Sequence, residues 1–252
     1  MESLAEHWPE YLIEAGALGC FMISACAFAV LLRPVADPFV QRALMGLAMG
    51  ATAVTIVRSP WGRRSGAHMN PAVTWNFFLL GKVKPWDAVF YAASQFAGGA
   101  AGVALARLAF GEPLREIRYA VTVPGPRGEL AAFAAEFAIS ALLFFTVLYA
   151  SNHRALSRYT PLFAGSLVAL FIAFESPISG MSMNPARTFA SAAVANEWTS
   201  IWIYFAAPPL GMFFASRLYL SGRGIRRVFC AKLDHDNRQR CIFRCRYGEL
   251  HE

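Results

Sequence analysis

Along most of this chain, apolar runs long enough to approach a bilayer's thickness alternate with short polar joints. Judged by length and by where charge, Gly and Pro interrupt them, they predict helices over 12–32, 43–57, 88–109, 131–150, 161–174 and 201–220. A hydrocarbon core about 30 Å thick needs roughly 20 helical residues, so each run is a candidate crossing. The second and fifth runs are short, and each leads into a stretch that occurs twice. Ser65-Gly66-Ala67-His68-Met69-Asn70-Pro71-Ala72 is echoed by Ser179-Gly180-Met181-Ser182-Met183-Asn184-Pro185-Ala186. In each copy a Gly turn delivers an Asn able to cap a helix, and the Pro after it loses no bond at the first helical position.

The apolar segments that follow, 71–80 and 185–195, come to roughly 15 Å of helix each, half a bilayer. Neither can cross alone. Two such half-helices entering from opposite faces, with their N-termini meeting at mid-depth, make one crossing between them, and such breaks are tolerated only where they line a cavity. Each half of the chain holds three crossings, an odd number, so the second half starts on the opposite side from the first. The predicted fold class is therefore an all-α membrane protein: six transmembrane helices plus two re-entrant half-helices in an inverted repeat. The channel-like domain covers 1–220, with halves at about 11–110 and 130–220 joined by a Pro- and Gly-rich linker. A basic tail occupies 221–252. Glu14 in the first crossing is answered by Glu136 in the fourth, and Gln95 by Pro208.

Composition agrees: of 252 residues 56% are hydrophobic and 15% charged, with a mean hydropathy of +0.40, outside the usual soluble range. The net charge of +7 raises nucleic acid as a partner, but the basic residues cluster at joints and in the tail, which points to lipid surfaces instead. Joints on one side hold sixteen Lys and Arg and those on the other six, with Arg187 set aside. Both termini are therefore expected in the cytoplasm. Residues 1–10 are acidic and no small-residue cleavage pattern follows the first run, so that run is expected to remain as the first crossing.

Two helix N-termini aimed at one point place about half a positive charge each there, which disfavours cations. The side-chain amides of Asn70 and Asn184 donate to the oxygen of a passing molecule and turn its hydrogens away from its neighbours, which breaks a proton relay. Such a passage admits neutral molecules. Arg187 is the one charge in the second box, and a charge at membrane depth is by default functional.

The paired Asn-Pro-Ala boxes, the Ser-Gly-Ala-His before the first, the Arg after the second and the two glutamates resemble the aquaporin (major intrinsic protein) family, in its bacterial type, over about 11–220. The resemblance implies a water channel in the inner or plasma membrane, assembled as a homotetramer with one pore per subunit and requiring no cofactor. It implies pore residues Asn70, Pro71, Ala72, Asn184, Pro185 and Ala186, and a filter of Met49 (with Gly50 as the alternative), Ile172, Met181 and Arg187. Glu14, Glu136 and His68 would support the re-entrant loops. The filter lacks the His of water-selective members and the aromatic pair of glycerol facilitators, whereas Thr188 and Tyr204-Phe205 favour the water side. A glycerol- or urea-type facilitator and a non-conducting structural or sensor member are the alternatives. An enzyme is disfavoured: only His68 lies at membrane depth, and no nucleophile-plus-base pattern accompanies it. A secondary transporter shares the topology but would show ion-coupled uptake.

In the tail, Cys230, His235, Cys241 and Cys245 have the ligand types of a Cys3His zinc site, without the spacing of a standard finger. The competing reading is a basic tail on anionic lipid with free or acylated cysteines.

Overall fold

A computed structural model describes residues 2–236 and 238–250. Its α-helices are α1 (Glu2–Leu31), α2 (Pro38–Arg58), α3 (Pro60–Ser65), α4 (Pro71–Leu79), α5 (Pro85–Phe110), α6 (Glu112–Glu116), α7 (Glu129–Ser151), α8 (Thr160–Phe174), α9 (Ser176–Ser179), α10 (Pro185–Ala195) and α11 (Ile201–Arg223). Proline opens many of them: Pro38, Pro60, Pro71, Pro85 and Pro185 each occupy the first helical turn, where a backbone N–H has no intrahelical partner to lose.

The long helices α1, α2, α5, α7, α8 and α11 are the six crossings, and α4 and α10 are the half-helices. Five of the six are long and apolar enough to cross a membrane by length and composition alone. The sixth, α11, has 23 residues, and Pro208, Pro209 and Arg217 hold down its hydropathy. Exposed tryptophans mark the two ends: Trp8, Trp61 and Trp86 at one, Trp198 and Trp202 at the other, as expected where amphipathic rings sit at a lipid–water boundary.

The repeat is visible in the packing. Within each half the outer pair lies together, α1 on α5 and α7 on α11, while α2 and α8 meet across the pseudo-twofold axis. These crossings are close because small residues face each other. A Cβ added at Gly98 would lie 2.1 Å from the Ala15 carbonyl oxygen, one at Gly102 2.4 Å from that of Gly19, and one at Gly211 2.3 Å from that of Phe137. Helices in lipid associate through such contact rather than by escaping water. Gly98→Ala is accordingly expected to force α1 off α5 and destabilise the protein by about 1–3 kcal/mol. A thermal midpoint of the detergent-solubilised variant equal to that of the parent would contradict this.

Two departures from the sequence reading have clear causes. The first helix begins at Glu2, ten residues before the apolar run, because hydropathy registers only the part inside hydrocarbon. The polar extension is held from outside it: His7 Nδ1 lies 2.8 Å from Asp87 Oδ1, Tyr11 donates to the same oxygen at 2.6 Å, and Arg64 donates to Glu10 at 2.9 Å. The linker between halves also contains a short helix, α6, with buried Leu114 at its centre.

Candidate functional site

The two repeated stretches fold alike. Gly66 and Gly180 end α3 and α9 in the left-handed region, and the alternation continues at Ala67, Met69, Met181 and Met183, all with φ between 49° and 55°. Non-glycine residues pay strain for that conformation and hold it only when their surroundings dictate it. Here buried carboxylates do. Glu14 accepts from Ser65 Oγ (2.8 Å), His68 N (3.0 Å), Met69 N (2.7 Å) and Gln95 Nε2 (2.7 Å). Glu136 accepts from Ser179 Oγ (2.8 Å), Ser182 N (2.7 Å) and Met183 N (2.7 Å). Tyr91 and Tyr204, equivalent in the two halves, donate to the carbonyls of Ser65 and Ser179.

The stretches then meet. Asn70 Nδ2 donates to the Met183 carbonyl and Asn184 Nδ2 to that of Met69, each at 2.7 Å. Each Asn Oδ1 caps its own helix, Asn70 at Ala72 N (2.9 Å) and Asn184 at Ala186 N (3.0 Å). So one amide N–H of each Asn ties the loops together and the other is left over. The N-termini of α4 and α10 thereby abut at the centre of the fold, with Pro71, Ala72, Pro185 and Ala186 forming the two first turns.

A continuous cavity of about 390 Å³ passes this junction. Arg33, Arg42 and Ile117 line one end and Val57, His68 and Leu233 the other, with Asn70, Asn184, Met49, Ile172, Met181 and Arg187 between. Arg187 Nη1 is buried with no acceptor among the described residues. Phe21 and Phe144, which as aromatic residues in apolar runs read as lipid-facing or core, line the cavity instead. Phe21 and Leu143 follow Glu14 and Glu136 by seven positions each, two helical turns along the same face, which is the signal that identifies them.

The register of α2 against α8 sets which residues share a level of the cavity. Gly50 abuts Gly165 and Gly46 abuts Ala169, while Arg42 donates to the Ala173 carbonyl at 3.2 Å. Ile172 is therefore level with the turn between Arg42 and Gly46. Met45, which lines the cavity, sits beside that level. Met49 lies about 9 Å deeper than Ile172, buried to 1% exposure.

His68 packs as a loop residue. Its ring lies between those of Phe77 and Phe243, both stacked at 5.3 Å. Its Nε2 is 2.8 Å from the Ala231 carbonyl, and its Nδ1 is 3.0 Å from Thr74 Oγ1. A carbonyl only accepts, so Nε2 carries a proton and donates it to Ala231.

Ala231 and Phe243 belong to the tail, which turns back against the first re-entrant loop. Cys230, His235, Cys241 and Cys245 come together there, their ligand atoms all within 4.8 Å of one another. Hydrogen bonds from Cys230 and Cys241 hold the Cys245 thiol below its ordinary range. Burial pushes the Lys232 ammonium down, and the three thiols oppose that.

Three comparisons bear on this architecture. The sequence model of one family, described as Major intrinsic protein, matches residues 2–219. The chain is 40% identical over 161 residues to "Aquaporin NIP1-3" of Oryza sativa subsp. japonica, covering 63% of this chain and 55% of that protein. It is 33% identical over 204 residues to "Aquaporin NIP1-2" of Arabidopsis thaliana, covering 79% and 69%. The chain thus spans just over half the length of several curated relatives it matches. Its fold is similar to that in the X-ray structure of the aquaglyceroporin from Plasmodium falciparum, with a TM-score of 0.71 at 18% identity over 84% of this chain and 95% of the other.

Proposed function

Because this chain belongs to the major intrinsic protein family, we propose that it is a passive membrane channel for water and other small neutral solutes that excludes protons and ions. The observation that carries the reading is the reciprocal pair of Asn–carbonyl bonds, which fixes two capped helix N-termini against each other on the wall of one continuous cavity. The second N–H of each Asn amide donates to the oxygen of a passing molecule. The two helix ends place about half a positive charge each beside it, a field that a cation meets on entering.

In this reading Arg187, Ile172 and Met181 form the filter, with Met49 as its deeper extension and Met45 on the α2 side. Arg187 Nη1 supplies the donor that orients solute. Glu14, Glu136 and His68 support the loops and do not carry protons. We read the chain as a channel rather than an enzyme: His68 is held in loop geometry by the Ala231 carbonyl, Thr74 and the stacked rings of Phe77 and Phe243. The channel itself requires no cofactor, and zinc is assigned to the tail cluster. We place both termini in the cytoplasm, the protein in the inner or plasma membrane, and four copies in the assembly with one pore each. The apolar, His-free lining by Ile172, Met181 and Met45 favours a second cargo beside water, a small neutral solute of the glycerol or urea kind.

Stopped-flow light scattering on proteoliposomes tests the proposal. Osmotic shrinkage is expected to be several-fold faster than in empty vesicles, with no pH change in the lumen under a proton gradient. Shrinkage at the empty-vesicle rate would leave the fold as a non-conducting member of its family, and ion-coupled, saturable uptake would make it a transporter.

A further inference from the structure

We propose that the metal held by Cys230, His235, Cys241 and Cys245 is a clasp that seats the tail in the inner mouth of the pore, where Leu233 narrows the passage. This rests on the channel reading only for its flux measurement.

The cluster fits the metal. Cys230 and Cys241 have their sulfurs 3.6 Å apart, and His235 Nε2 lies 3.2 Å from Cys245 Sγ. A tetrahedron with Zn–S bonds of about 2.3 Å and a Zn–N bond of about 2.0 Å has edges of roughly 3.5–3.8 Å, so these two pairs are within a few tenths of an ångström of it, and the other separations, all within 4.8 Å, close by roughly 1 Å at most. All three cysteines are free thiols. The His235 ring is held flat against Tyr247 at 4.0 Å, which fixes the direction of Nε2. Three thiolates and a divalent ion leave one net negative charge. Lys232, 1% exposed with Nζ on the Arg240 carbonyl, supplies a buried positive charge to match it.

The segment also needs a clasp. Its described residues from Val228 to Arg246 contain neither helix nor strand, yet Val228, Cys230, Ala231 and Phe243 are buried. A buried segment with no backbone ladder of its own is the kind that metal coordination holds in shape.

What the metal would close is the part that touches the pore. Between ligands Cys230 and His235 lie Ala231, whose carbonyl takes the His68 ring N–H, and Leu233, whose N–H donates to the Gly66 carbonyl at 3.2 Å. Asp234 in the same loop accepts from Arg63 at 2.9 Å. Between ligands Cys241 and Cys245 lies Phe243, stacked on His68 at 9° between planes. Both contact points with the first re-entrant loop thus fall inside metal-closed loops. Leu233 lines the cavity itself.

The full chain, purified in detergent, is expected to carry about one zinc per subunit and, exchanged with cobalt, to show thiolate charge-transfer and tetrahedral d–d bands. In proteoliposomes, chelation should raise water permeability roughly twofold or more and expose the tail to trypsin. Leu233→Ala should show the raised permeability with zinc still bound and no further response to chelator. Absence of stoichiometric zinc and of cobalt bands would overturn the site. Bound zinc with permeability unchanged by chelation and by Leu233→Ala would overturn the plug. Vesicles silent in every state would refute the channel reading instead, and metal-dependent trypsin protection would still decide whether the clasp exists.

Discussion

Glu14→Leu is expected to leave little folded protein to purify. The carboxylate of Glu14 accepts four hydrogen bonds, two of them from the main-chain N–H groups of His68 and Met69. At membrane depth no water replaces it, and each abandoned buried donor costs about 1–3 kcal/mol. The left-handed conformations at Ala67 and Met69 lose the group that selects them, and the first Asn is no longer presented to the Met183 carbonyl. The summed loss, of order 4 kcal/mol or more, is comparable to the whole stability of an ordinary domain. Glu136→Leu should behave similarly but more mildly, because Glu136 holds three donors and Pro208 stands where α5 offers Gln95. Size-exclusion profiles and thermal midpoints in detergent check both. A monodisperse Glu14→Leu variant with the parent's midpoint would show that the loop holds its shape without the carboxylate.

This dependence explains why so much of the fold could be read from the chain and why some could not. The repeated Asn-Pro-Ala boxes are local signals: cap, proline and short apolar run predict a half-helix from adjacent residues alone, and α4 and α10 lie where that pattern puts them. The glutamates were visible as charges out of place in apolar runs. The bonds from Asn70 and Asn184, by contrast, go to main-chain carbonyls, which carry no residue identity and leave no trace in sequence. The level of Met45 beside Ile172 depends on the register of two helices, set by Gly46 and Gly50 against α8, and an alignment of boxes alone does not report it.

The tail shows the same limit more sharply. Its Cys and His residues announced a ligand set, but nothing local indicated that Phe243 stacks on a histidine in the first re-entrant loop. Folding joins there what the chain separates by more than 150 residues. The outer part of the linker is similar: α6 turns inward through Leu114, a single apolar position in a polar stretch that periodicity does not resolve.

Arg187→Val is expected to change selectivity more than any other single substitution, while water flux persists. Arg187 follows the second capped turn, its backbone N–H 3.3 Å from Asn184 Oδ1, so its side chain projects from a fixed stem. Replacing it removes a full positive charge and the one guanidinium of the proposed filter, and leaves Ile172, Met181 and Met45 as an apolar lining. Loss of that charge removes a barrier of several kcal/mol to cations, although the half-charges at the two helix ends remain. The variant should therefore admit larger neutral solutes strongly and small cations partially, and Asn184→Asp on the Arg187→Val background should widen the cation leak by cancelling the second field. Parallel flux assays with water, glycerol, urea and a cation under an imposed potential read both steps. Selectivity unchanged in Arg187→Val would move the filter away from this residue, whereas a cation leak as large in the single as in the double variant would mean that the helix ends contribute no barrier of their own.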